Sequence, residues 1–239
     1  MRRRARAGSV KTLLALPLLA LACSTPATAK DAKHPVYLSE TLFDPTLNVA
    51  APPPPGSAEE ARELDALHRL IAGASAERLA QARADGEREN PTLFNSVLGF
   101  DLKALPATWA LLTTVQAEGE AVADEGKIHF HRLRPYSIDH TLAVCGQKTA
   151  EPVYRGYPSG HSMLGYSVGW MLARLIPAKA GIILARAHDY ALSRQYCGAH
   201  FASDTEASHA IGTLAAASLW QDPRLAAQIA AARAELANL

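Results

Sequence analysis

The chain has 239 residues, 49% of them hydrophobic and 20% charged, which is ample to bury a core and too apolar for a disordered polyelectrolyte. With 24 Lys+Arg against 23 Asp+Glu the net charge is +1, and no basic cluster marks a nucleic acid or an anionic membrane as a partner.

Residues 1–29 are predicted to be a secretory signal. Arg2, Arg3, Arg4, Arg6 and Lys11 precede an apolar run from Leu13 to Ala22, and the small residues Ala27-Thr28-Ala29 make an A-x-A site. The apolar run is too short to span a bilayer. The arginines lack the apolar residues that follow a twin-arginine signal. Lipid anchoring through Cys23 is the alternative, although Ala20 stands where a large aliphatic residue is usual. Cleavage after Ala29 removes five basic residues and no acid, taking 24 to 19 against 23, a balance of −4. The mature chain is then expected in the periplasm or outside the cell. Cys145 and Cys197 remain, an even pair in an oxidising compartment, and a disulfide between them is expected; two buried thiols are the alternative.

Residues 30–55 read as an irregular leading segment that closes with Pro52 to Pro55. Ser57 caps a helix predicted over 59–72, where Leu64, Leu67, Leu70 and Ile71 keep helical spacing and Gly73 is the stop. Further helices are predicted over 75–84, 94–102 and 106–132, with Asn90-Pro91 breaking the chain. Residues 135–157 have turn residues and no period, and read as a loop. Residues 162–176 are apolar on most sides and stop before Pro177, which predicts a central core helix rather than a membrane span. Helices over 178–195, 204–220 and 223–236 complete the set, the last opened by Asp222-Pro223. Strand-like alternation and internal repeats are missing, so the fold class is all-α, one compact helical domain over residues 30–239.

Three short blocks carry chemistry. Lys127 and Arg134 are seven residues apart, which places both on one face of a helix, and Pro135 puts Arg134 at that helix's end. An ammonium and a guanidinium there make a phosphate clamp, or simply a solvated basic face that also holds Arg132. Pro158-Ser159-Gly160-His161 precedes the apolar helix: Gly160 admits a ligand to the free N–H groups of the helix start, Ser159 adds a hydroxyl, and His161 stands at the rim as a proton donor. A plain capped turn explains that block equally well. His200 and Asp204 are four apart, so on a helix the carboxylate accepts the imidazole Nδ1–H and frees Nε2 as a nucleophile. Singly, such a pair is usually an ordinary surface contact. Arg194 precedes His200 with Gly198 between them, a break that lets both point inward.

Together these blocks read K-x6-R-P, P-S-G-H and S-R-x5-H-x3-D, through Lys127, Arg134, Pro135, Pro158 to His161, Ser193, Arg194, His200 and Asp204. That pattern resembles the phosphatidic acid phosphatase type 2 and vanadium haloperoxidase superfamily. Within it the chain looks like the bacterial class A non-specific acid phosphatases, on Pro52 to Pro55, Tyr157 to Ser162, Cys197-Gly198 and Asp222-Pro223 as well. Ala199 and Phe201 depart from it, because Tyr and Trp are common at those places, and this bears on substrate preference. The resemblance implies a helix-bundle phosphomonoester hydrolase of broad specificity. His200 would attack phosphorus and form a phosphohistidine, Asp204 would orient it, and His161 would protonate the leaving alkoxide. Lys127, Arg134, Arg194, Ser159 and Gly160 would hold the phosphate oxygens where other phosphatases use metal ions. Hence no metal or cofactor is expected, the partners are small phosphomonoesters, and an acid optimum follows from His161. A homodimer is expected at the level of the family.

Three other functions compete: a vanadium-dependent haloperoxidase, for which the chain is short; a membrane lipid phosphatase, whose spanning helices are missing; and a catalytically silent periplasmic binding protein. Phosphotransfer to alcohols is a further variant of the hydrolase. Elsewhere, His129 and His131 are two apart and diverge on a helix. His188-Asp189 reads as a packing or surface pair, and His68 and His209 have no partner evident in the sequence. Trp109, Trp170 and Trp220 read as core.

Overall fold

The structure, a computed structural model, describes residues 33–146 and 151–237. The signal segment and Cys23 lie outside the described residues. Every regular element among the described residues is helical: α1 (Pro45–Asn48), α2 (Ala58–Ala72), α3 (Ala76–Gly86), α4 (Asn95–Leu98), α5 (Pro106–Phe130), α6 (Pro135–Ile138), α7 (Gly160–Leu175), α8 (Ala180–Tyr196), α9 (Ala202–Gln221) and α10 (Ala226–Leu236). The expected all-α class is what is found.

The apolar stretch that forms α7 is the centre of the domain. Met163, Val168, Met171 and Leu172 are fully buried on it, and α5, α8 and α9 pack around it. Small residues set how close these helices come: α7 meets Tyr190 and Ala187 of α8 at Gly165, and Gly212 of α9 lies against Met163. Ser57 and Ser75 cap α2 and α3 by accepting the N–H groups of Glu60 and Arg78. The leading segment is tied down by one buried carboxylate: Glu118 of α5 accepts the N–H groups of Val36, Tyr37 and Leu38 at 2.8, 2.9 and 2.9 Å. Among the described residues, no helix is long and apolar enough to cross a membrane.

Three departures from the sequence expectations have local causes. The helix expected over 94–102 is instead two 3₁₀ turns around α4, because Gly99 takes a left-handed φ of 84° and Asn95 turns back to bond Asp101 and Leu102. The helix expected to reach 132 stops at Phe130, where His131 adopts φ 46° and its N–H closes on Lys127 O. Residues 132–134 therefore run beyond the helix. Residues 135–157 include the single turn α6 after Pro135.

Cys145 and Cys197 form the expected disulfide, joining the loop after α6 to the C-cap of α8.

Candidate active site

His200 sits where the chain changes direction between α8 and α9. Gly198 has φ 59°, and a Cβ there would lie 2.5 Å from Ala143 O, so only glycine makes that turn against the neighbouring loop. The turn carries His200 into the interior, where it is fully buried. Its Nδ1 lies 2.8 Å from Gly156 O, and its Nε2 has no hydrogen-bond partner. Gly156 is itself fixed: its N–H donates to Arg132 O, and a Cβ on it would lie 2.8 Å from Leu133 O. With Nδ1–H given to a carbonyl, the Nε2 lone pair is the free one.

Cations converge on that nitrogen's surroundings. Arg134, Arg194 and Arg132 each have a buried Nε with no hydrogen-bond partner, but the terminal nitrogens of Arg132 are taken by Asp204 and Glu63. Burial, then Arg134 and Arg194, hold the His200 imidazole well below the ordinary histidine range, so it is neutral. Lys127, also buried, donates to Asp124 at 2.8 Å, and Asp124 accepts Arg155 as well. Because α5 ends at Phe130, Arg134 reaches the site from extended chain held by its N–H on Val153 O, not from the same helical face as Lys127. That corrects the shared-face expectation, while the two charges still meet in one cavity of about 240 Å³ with Gly160 and His161.

Ser159 caps α7, accepting Ser162 N–H at 3.3 Å and the Ser162 hydroxyl at 3.0 Å, which leaves its own O–H to donate. A Cβ at Gly160 would lie 3.1 Å from Lys127 Nζ, so glycine is what admits the ammonium to the helix start. His161 places Nε2 at 3.0 Å from Gly86 O and 3.2 Å from Glu89 Oε1, and its ring stacks with Tyr190. Burial, followed by Arg194, lowers it to about 3.

Asp204 is less direct than the sequence implies. It lies on α9, while His200 precedes that helix, and its Oδ2 is 3.4 Å from His200 Nδ1, longer than the Gly156 bond. Its oxygens are taken up by Phe201 N–H at 2.7 Å and by Arg132. Arg132 also binds Ser203 and Glu63, and its guanidinium lies 4.2 Å over the Phe201 ring. Burial pushes the Asp204 carboxyl up to about 7, against the pull of Arg132.

All eight sequence-selected residues are therefore in one place. Sequence reasoning missed Gly156, Glu63 and Gly86, and treated Arg132 as part of a solvated face although it is buried. None of these has a local pattern that marks it. Ser193, the serine of the S-R block, has a structural place: it donates to Asp85 of α3 at 2.7 Å and accepts Arg78 at 3.0 Å. His129 and His131 do diverge, packing against Phe130 and Tyr154 respectively. His68 has a partner after all, Asp139 at 2.7 Å, and His209 stacks on Tyr166. Trp170 and Trp220 meet edge to face beneath Arg174, at the rim of the core rather than inside it.

The family model described as PAP2 superfamily matches residues 105–226, just over half the chain and all eight site residues. The chain belongs to the PAP2 superfamily. It is 29% identical over 200 residues to an acid phosphatase of Zymomonas mobilis, covering 81% of this chain and 75% of that protein. It is 28% identical over 233 residues to a non-specific acid phosphatase of Salmonella typhi, covering 94% and 91% respectively. Among solved structures, it resembles a transmembrane PAP2 type phosphatidylglycerolphosphate phosphatase from Bacillus subtilis with a TM-score of 0.52 at 16% identity, covering 74% of this chain and 88% of that one. That likeness is one of fold. Gly86, at the end of α3, and Glu89, in the loop after it, lie ahead of the family match.

Proposed function

We propose that this PAP2 protein is an exported acid phosphatase that hydrolyses phosphomonoesters through a phosphohistidine on His200. The observation that carries the reading is the buried, partnerless Nε2 of His200 between two arginines whose Nε atoms are also partnerless. A tetrahedral oxyanion supplies what these groups lack: acceptors for the guanidinium N–H donors and an electrophile for the imidazole. Similarity to the acid phosphatases named above supports the same class of reaction.

In this mechanism Lys127, Arg134 and Arg194 hold the phosphoryl oxygens, together with the Ser159 hydroxyl and the N–H groups at the α7 start near Gly160. These charges stabilise the transferring group in the place metal ions take in other phosphatases. His200 Nε2 forms a bond to phosphorus as the bond to the ester oxygen breaks, and His161 gives its proton to the departing alkoxide. Water then attacks the phosphohistidine, with His161 taking the proton back. Gly156 O holds Nδ1–H throughout, and Asp204, fixed by Phe201 N–H and Arg132, lies just behind that nitrogen at 3.4 Å. The charge of a bound phosphate offsets the three cations that depress His161, so protonation accompanies substrate binding and favours mildly acidic pH.

Residues 1–29 are the proposed export signal and 30–239 the catalytic domain. The Cys145–Cys197 disulfide and the lack of a spanning helix among the described residues are compatible with that location. The test is p-nitrophenyl phosphate hydrolysis near pH 5 to 6, with and without chelator. His200→Ala is expected to lose about a thousandfold or more in kcat. Acid quench with labelled substrate should leave the label on His200; label on another residue would overturn the assignment.

A further inference from the structure

We propose that Glu89 is a positioning residue for His161: it holds hydrogen on Nε2, which fixes the tautomer and leaves the Nδ1 proton as the one to transfer. This rests on the phosphatase reading above and extends it to a residue outside the matched family region. Glu89 follows α3 in the loop that leads to the 3₁₀ turn Pro91–Phe94, and its Oε1 lies 3.2 Å from His161 Nε2. The same Nε2 lies 3.0 Å from Gly86 O. Two oxygens on one nitrogen mean that Nε2 carries hydrogen and shares it between them. The proton available to the leaving oxygen is then the one on Nδ1 of the imidazolium.

Burial and three cations oppose the protonation of His161, and Gly86 O favours it. Lys127 faces it from α5, Arg134 from the extended chain after α5, and Arg194 and the Tyr190 phenol from α8; neutral His200 lies behind. Asp124, on the same cavity wall, is committed to Lys127 and Arg155, and Glu120 to Lys33 and Gln116. Glu89 is the carboxylate in that cavity without a cation on its side chain among the described residues, and it is the one in contact with the donor. When His161 gives its Nδ1 proton to the departing alkoxide as the P–O bond breaks, the ring is left neutral with Nε2–H still on Gly86 O and Glu89. The returning proton from water therefore comes back to Nδ1, ready for the next cycle.

The side chain of Glu89 is 70% exposed, so its replacement leaves folding intact. The experiment compares kcat/KM against pH for wild type, Glu89→Gln and Glu89→Asp, on p-nitrophenyl phosphate and on a simple alkyl phosphate. Glu89→Gln is expected to move the high-pH limb about half a unit lower. The loss at neutral pH should be severalfold for the alkyl ester and near nothing for the nitrophenyl ester, whose leaving group departs without a proton. Glu89→Asp should recover part of the shift. An unmoved limb, or equal losses on both esters, would overturn the proposal. A uniform weakening of inhibition by inorganic phosphate at all pH values would also overturn it, because that places the effect on Arg194 instead. If wild type cleaves neither ester, the phosphatase reading fails; if it cleaves both and the limb stays put, only the role of Glu89 does.

Discussion

At the scale of residues, the site is an arrangement of groups denied their usual partners. His200 and His161 are both held below the ordinary imidazole value, His161 at about 3 against 6.5, so the unfolded chain binds protons that the folded one refuses. The contribution of His161 to stability is complete above pH 6.5 and is lost as pH falls toward 3, and that of His200 is lost in the same direction. Asp204, raised to about 7 from 3.8, acts in the opposite direction: its contribution is complete below 3.8 and is lost as pH rises through 7. In the proposed mechanism an oxyanion between Arg134 and Arg194 offsets the cations and restores the basicity of His161. Sulfate, which stays a dianion over this range, should therefore raise the melting temperature more at pH 5 than at pH 8. Equal shifts at the two pH values would show that the anion and the imidazole are not coupled.

At the scale of elements, two glycines separate holding the fold from holding the substrate. Gly126 of α5 faces the Pro158 ring, and a Cβ there would sit 2.6 Å from Pro158 Cδ. The ring cannot swing aside, so Gly126→Ala is expected to cost about 1–3 kcal/mol in urea denaturation and to displace Ser159 and Gly160 with it. Gly86 ends α3, and a Cβ there would sit 2.6 Å from Arg194 Nη1, the tip of a flexible side chain. Gly86→Ala should change stability by less than about 1 kcal/mol while raising KM, because the guanidinium moves off the proposed phosphate site. The two variants are expected to differ in opposite senses, one mainly in denaturation midpoint and one mainly in steady-state kinetics. Capping was readable at this scale: Ser57 and Ser159 open α2 and α7, while Asp222 caps a 3₁₀ turn, Pro223–Leu225, that leads into α10. The end of α5 was not readable, since the left-handed His131 depends on where Arg132 must go rather than on local propensity.

At the scale of the whole molecule, the disulfide holds together segments that bear opposite sides of the site. Cys197 lies between Arg194 and His200, and Cys145 follows α6, which itself follows Arg134; the bridge closes a separation of 52 residues. Removing both thiols (Cys145→Ser with Cys197→Ser) is expected to cost about 4 kcal/mol by loop-closure entropy, read as a lower denaturation midpoint. An unchanged midpoint would mean the fold already holds that corner without it.

The all-α class and the central apolar helix were legible in the sequence because both rest on local period, and the eight candidate site residues stood out by type and interval, although the helical faces expected to pair Lys127 with Arg134 and His200 with Asp204 did not form. What only the tertiary structure decided is which partner each group meets. His200 gives its Nδ1–H to Gly156 O from 44 residues away, Asp204 turns toward Arg132 across 72 residues, and His161 rests on Gly86 O across 75. A backbone carbonyl has no residue-type signature, and packing rather than sequence proximity brings it to a buried imidazole; that is why the donors and acceptors behind the site could be found only once the helices were in place.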